Sequence, residues 1–383
     1  MKDHSITYFP VGNGDTTLIS LSDGTNILID CNITRNSKNG NEKESYSVHE
    51  HLLEEMGKDG SSNPHLDAFI LTHPDEDHCR GFSATFYSGD PSGYGQSHRK
   101  DGLIIIDELW FTPRIFPSND DELSESARDF RKEAERRMKL YRAGDPKSKE
   151  PGNRLRIIGY SDNPEMKGLE SILTVPGNAI NLINGSLKSD FSLFIHAPFK
   201  KNTGSEESER NNTSVVFQAR FDMPGAENAG LAFFGGDADC GIFRKIVEKS
   251  KEEDLQWDLF LAPHHCSWTF FNEQSYEDDS MPDKTSVELL KMHREGAYVI
   301  ASCKPVVKGG ESPPSYQAAK EYKKQVGEEK FLVTMDHPNE KEPLPIHFII
   351  TRMGPQKKDS SSANAIRSSA AVGAVVRTPQ TYG

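Results

Sequence analysis

Apolar residues along the chain fall into short runs bounded by Gly, Asp and Asn, and amphipathic stretches lie between them, the pattern of buried strands alternating with surface helices. Residues 6–30 read as strand, Gly turn, strand, Asp-Gly turn, strand, with 16–21 and 26–30 forming a hairpin across 22–25. A polar stretch, 34–47, leads to a short helix near 49–56 and then to a buried strand at 66–72. After Gly81 the text changes. Residues 82–170 carry a Gly/Ser-rich loop, a strand at 102–111 and a charged helix at about 121–142, whose few apolar residues include Phe130, Met138 and Leu140. Such charge reads as a solvated helix face, or as a lid that contacts substrate. Strands return at 171–175, 179–183, 191–196, 214–221 and 231–234. A helix at 240–249, a strand at 259–262 and a further helix, strand, helix and strand complete the pattern at Phe348. Strands followed by alternating strands and helices, twice over, predict two sheets packed face to face with helices outside, an α/β sandwich. Beyond Gly354 the chain is Ser/Ala-rich without an apolar period, which predicts a disordered tail over 354–383 after one domain, 1–353.

Composition narrows the class. With 383 residues, 35% hydrophobic and 27% charged, the chain has the make-up of a globular protein with many polar loops. No apolar run approaches the roughly 20 residues that span a bilayer, and residues 1–9 lead into a strand without the apolar centre of a signal peptide. The expectation is a cytoplasmic protein with no membrane partner. Five widely spaced cysteines (Cys31, Cys79, Cys240, Cys266, Cys303) suit reduced thiols better than a disulfide framework. A formal net charge of −13 argues against broad, non-specific binding to nucleic acid while leaving room for a local basic groove.

Candidate chemistry gathers where strands stop. Thr72-His73-Pro74-Asp75-Glu76-Asp77-His78 places four potential metal ligands in six residues directly after an apolar strand. A helix or strand would splay those side chains, whereas a loop can turn them toward one point. Imidazole with carboxylate suits zinc, manganese or iron(II). Three more polar clusters follow: Asn211-Asn212-Thr213-Ser214 opens one strand, Gly235-Gly236-Asp237 ends another, and Pro263-His264-His265-Cys266-Ser267 ends a third. Each alone is weak. Together they make the rim of a candidate metal site.

In that order the clusters resemble the metallo-β-lactamase superfamily, and within it the branch typified by the competence protein ComEC. That branch reads V-G-Q-G-D, H-P-D-x-D-H, N-N-x-S, G-D and P-H-H-G-S. The counterparts here are residues 11–15 (with Asn13 in the Gln position), 73–78, 211–214, 236–237 and 263–267. The likeness covers roughly residues 5–352 and skips 82–170, an insertion after the first metal motif. It implies an αββα sandwich and two divalent ions, Zn2+ or Mn2+. Asp77, His78 and one of the pair His264/His265 would hold one ion, His73 and Asp75 the other, and Asp237 would bridge them. The second member of the pair would protonate a leaving oxygen; His264 is placed with the ligands and His265 with Asp77 and Asp15 as catalytic, with the order within the pair left open. Asp15 would orient a ligand histidine. Asn211 or Asn212 stands where other branches carry a histidine, and Asn211, Asn212 and Ser214 form the third motif, placed toward the substrate. Two departures toward oxygen donors, Asp75 and the asparagines, favour manganese over zinc. Cys79 and Cys266 read as buried bystanders, and His196 as a weaker ligand candidate.

The resemblance implies a phosphodiesterase or nuclease acting through a metal-bridging hydroxide, its partner a phosphodiester substrate, with DNA among the candidates. An esterase or small phosphodiester hydrolase of phosphorylcholine-esterase type is the alternative on the same site. A non-catalytic binding protein on the same fold is the alternative of another class.

Overall fold

The computed structural model describes residues 3–34, 46–58, 62–116, 123–161, 164–200, 213–276 and 280–358. Its first sheet contains β1 (Ser5–Tyr8), β2 (Thr17–Ser20), β3 (Asn26–Ile29), β4 (Pro64–Ile70), β5 (Ile104–Phe111) and β6 (Arg154–Ile158), in that spatial order. Pairing is antiparallel from β1 to β3 and parallel from β3 to β6. The second sheet repeats the scheme. β7 (Phe191–Ala197), β8 (Val216–Met223) and β9 (Ala226–Phe234) are antiparallel; β10 (Trp257–Leu261), β11 (His293–Ala301) and β12 (Phe331–Val333) continue in parallel. The chain then returns to the first sheet as β13 (Ile346–Thr351), beside β1, and β14 (Gly354–Lys357).

Alternation along the strands sets the layers, because successive side chains in a strand point to opposite faces. Ile19, Ile27 and Ile29 pack inward against Phe217, Phe234 and Leu261 of the second sheet. Leu18 and Leu28 pack outward with Phe69 against α1 (Val48–Glu55) and α2 (Glu125–Arg142). On the far side, Phe233, Trp257 and Phe260 pack under α3 (Cys240–Lys249), α4 (Lys284–Lys291) and α5 (Tyr316–Val326). The expected mixed α/β architecture of two facing sheets with outer helices is present. No helix among the described residues is long and apolar enough to cross a membrane.

Two expectations change. The folded chain runs past residue 353, since β14 pairs with β13 from Gly354; a four-residue edge strand containing Pro355 buries too little to leave an apolar period. Residues 359–383 lie outside the described ones. Segment 82–170, expected as an insertion beside the site, supplies the fully buried strand β5 and its neighbour β6. The charged helix α2 keeps the expected solvated face, with Glu125, Lys132, Glu135, Lys139 and Arg142 exposed, but not all of its charge lies there. Arg137 is 1% exposed, and its Nε donates to Glu133 at 2.7 Å while its terminal nitrogens donate to the carbonyls of Arg154 and Ile106, each at 2.8 Å. Arg136 is engaged by Glu133 and Asn153, each at 2.7 Å. Arg137 ties the helix to β5 and β6, and Arg136 ties it to the turn before β6.

Candidate metal centre

The site is built where β4, β9 and β10 end. After β4 the chain turns through Thr72 and His73 into a single helical turn, Glu76–Cys79. Residues 31 and 33 fix this turn by donating to the carbonyls of His78 (2.8 Å) and Arg80 (3.0 Å). After β9, Gly236 adopts a left-handed φ of 50°, and a Cβ there would lie 2.9 Å from Ser214 Cβ, so only glycine fits the corner that delivers Asp237. The Asp237 amide donates to Ser214 Oγ at 3.2 Å.

After β10, His264, His265 and Cys266 have φ of 49°, 52° and 65°, three consecutive left-handed residues without a glycine. Such backbone costs about 1–2 kcal/mol per residue and persists only where surroundings impose it. Here the His264 amide donates to the Gly236 carbonyl (3.0 Å) and the Ser315 amide to the Cys266 carbonyl (2.8 Å). The turn brings both imidazoles to one carboxylate.

That carboxylate divides its neighbours between its two oxygens. Asp237 Oδ1 lies 3.1 Å from His78 Nε2 and 3.7 Å from His265 Nε2, and His265 Nε2 is 3.2 Å from Asp77. Asp237 Oδ2 lies 3.5 Å from His73 Nε2 and 3.7 Å from His264 Nε2, with Asp75 3.8 Å from His73. Asp15, His78, Asp237 and His265 also offer donor atoms all within 4.8 Å of one another. Asp237 and the rings of His73, His78 and His265 are buried, while Asp75, Asp77 and His264 are partly exposed and open the cluster to solvent.

These atoms fit a cation better than one another. Asp237 Oδ1 and the Nε2 atoms of His73, His78 and His265 are buried and make no hydrogen bond among the described residues. Buried polar atoms left this way are costly. Ligands about 2.0–2.2 Å from one ion stand roughly 3.0–3.5 Å apart, close to the spacings observed. Charge agrees. Burial disfavours a proton on His265, yet Asp237, Asp15 and Asp77 outweigh it and lift its pKa to about 10. His78 is held well above its ordinary value against the same burial penalty by Asp237 and Asp30. Asp237 sits well below the usual carboxylate range, the histidines overcoming burial. A metal ion at these nitrogens must displace protons, so its affinity falls as pH falls.

The structure therefore brings together His73, Asp75, Asp77, His78, Asp237, His264, His265 and Asp15. Asp15 faces His265 Nδ1 at 3.6 Å, an ion-pair distance and not a hydrogen bond. Ser214 supports the Asp237 corner; Asn211 and Asn212 lie outside the described residues. His196 stands apart, stacked on Phe233 with Nδ1 3.1 Å from Ser250 Oγ, and burial pushes its pKa down to about 3. Cys79 and Cys266 are buried, and Cys79 Sγ donates to the Asp75 carbonyl at 3.1 Å.

Sequence reasoning missed Asp30. Fully buried at the end of β3, with φ of 56°, it accepts from the Thr72 amide and hydroxyl and from His78 Nδ1, each at 2.7 Å. It fixes the His78 tautomer so that Nε2 faces Asp237. Its one sequence signal is a carboxylate closing an apolar strand, as Asp237 does. Partners of this kind typically contribute about 10–100-fold to metal affinity. Asp30→Asn should weaken metal binding by that order in a competition titration with a chromogenic chelator; unchanged affinity would make Asp30 purely structural.

The chain matches no known family profile and no curated protein. Among solved structures it is similar to a protein from Parabacteroides distasonis provisionally described as a metal-dependent hydrolase, at 12% identity over 87% of this chain and 94% of that one. The TM-score of 0.34 is too low for an argument about fold or activity.

Proposed function

We propose that the chain is a two-ion, metal-dependent hydrolase on a metallo-β-lactamase-type sandwich, acting on phosphodiesters. The observation that carries this reading is the split around Asp237: Oδ1 faces His78 and His265, with Asp77 beside His265, and Oδ2 faces His73 and His264, with Asp75 beside His73. Each side offers two imidazoles and a carboxylate of its own, and Asp237 would be the carboxylate common to both. This donor set suits zinc or manganese. The motif order of the ComEC-type branch supports the same reading. His265 is 1% exposed and sits among Asp77, His78 and Asp237, which suits a ligand and not the proton donor to a leaving group.

When bound, such ions supply a nucleophile at neutral pH and stabilise charge on the departing group. The protein's own contribution is orientation. Asp30 holds His78, Asp15 stands behind His265, and Thr269 Oγ1 lies 3.3 Å from His264 Nδ1. Small phosphodiesters are favoured over duplex DNA, because the chain carries a formal charge of −13 and two arginines of α2, Arg136 and Arg137, are engaged within the fold.

Protein stripped by chelation and reloaded with Zn2+ or Mn2+ should hydrolyse bis-p-nitrophenyl phosphate, with linear DNA cut more slowly. No turnover of the diester with any divalent ion would overturn the reading. Faster turnover of p-nitrophenyl acetate than of the diester would move the substrate class to carboxylic esters.

A further inference from the structure

The loop between β11 and α5 has a neck that one side chain closes. The Lys304 amide donates to Asn13 Oδ1 and Asn13 Nδ2 donates to the Pro313 carbonyl, both at 2.9 Å. Below the neck, Ser302 Oγ donates to the Gly14 carbonyl at 2.6 Å, and the Ser315 amide donates to the Cys266 carbonyl at 2.8 Å. The loop thus rises from the two turns that present Asp15 and His265. Val306 anchors its base against the outer core, Val307 is 61% exposed, and the Gly310 amide closes the tip on the Val307 carbonyl at 3.0 Å. Lys304 and Lys308 are both exposed on it.

The centre needs such charge. Asp15, Asp30, Asp75, Asp77 and Asp237 bring five carboxylates, and two divalent ions leave a net of minus one, in a chain whose formal charge is −13. An anionic substrate approaching that field is repelled unless cations stand at the mouth. From the neck at Lys304, four residues span at most about 13 Å, so Lys308 stays within that reach of the turn that carries Asn13 and leads to Asp15.

Resting on the phosphodiesterase reading above, we propose that loop 304–313 is the anion-binding rim of the metal centre, with Lys304 and Lys308 contacting the substrate phosphate and Asn13 positioning the loop. Neutral substrates do not need it.

The test compares wild type, a Lys304→Ala/Lys308→Ala double variant and the corresponding double arginine variant, all loaded with metal. KM for bis-p-nitrophenyl phosphate should rise at least about 10-fold in the alanine variant, which loses two exposed charge-assisted contacts, with kcat within about twofold. The inhibition or dissociation constant of inorganic phosphate should rise in parallel, and arginine should restore both. The difference should shrink at high salt, where exposed charges are screened. If the wild type hydrolyses no phosphodiester, the functional reading fails, while phosphate affinity measured by calorimetry still tests the rim. Equal phosphate affinity in wild type and alanine variant, or no phosphate binding at all, overturns the proposal. So does an equal loss on neutral p-nitrophenyl acetate, which would point to a disturbed centre instead of a lost anion site.

Discussion

Asp237→Asn should strip the protein of divalent metal while leaving it folded. The carboxylate is shared by both halves of the cluster, its oxygens lying 3.1 Å from His78 Nε2 and 3.5 Å from His73 Nε2. An amide keeps the size of the side chain but removes one oxygen and the charge. Loss of an outer partner typically costs about 10–100-fold in metal affinity, and loss of a ligand common to two ions should exceed that, abolishing both metal retention on gel filtration and hydrolysis. The fold should survive, because the residue sits on a corner after β9 and not inside a sheet. Metal content by elemental analysis, read beside a thermal melt, separates the outcomes. Full metal retention in the variant would remove Asp237 from the centre. Unfolding of the variant would make it a structural carboxylate.

The second large effect concerns stability and not the metal centre. Arg137→Ala should destabilise the protein by about 3–5 kcal/mol, the usual consequence of removing one partner of a buried ion pair. Glu133, itself 3% exposed, keeps only Arg136 as a charged partner, and the carbonyls of Ile106 and Arg154 lose a donor. Glu133→Gln combined with Arg137→Met should be less destabilising than Arg137→Ala alone, because no buried charge is then stranded. Urea denaturation measures both. A loss below about 1 kcal/mol, the scale of an exposed pair, would contradict the buried clamp.

How far the sequence was legible follows from separation along the chain. His73, Asp75, Asp77 and His78 stand within one turn after an apolar strand, so their convergence needed only the end of β4. Gly236 announced the corner at Asp237, since a residue with positive φ before a carboxylate is a local signal. Asp30 was invisible because its work is done on Thr72, 42 positions away, through a left-handed backbone that no glycine advertises. The His264/His265 order was undecidable from spacing: adjacent residues in extended chain point apart, and only the left-handed turn aims both at Asp237. The i,i+4 spacing of Glu133 and Arg137 was readable as a helical pair. Their burial was not, because it depends on β5 and β6 lying beneath α2.

The most direct test of the proposed two-ion centre is anomalous diffraction at the absorption edge of the bound metal, on crystals of the loaded protein. Two peaks about 4 Å apart are expected, one beside His78, His265 and Asp77 and the other beside His73, His264 and Asp75, with Asp237 between them. A single peak, or peaks away from Asp237, would contradict the two-ion centre.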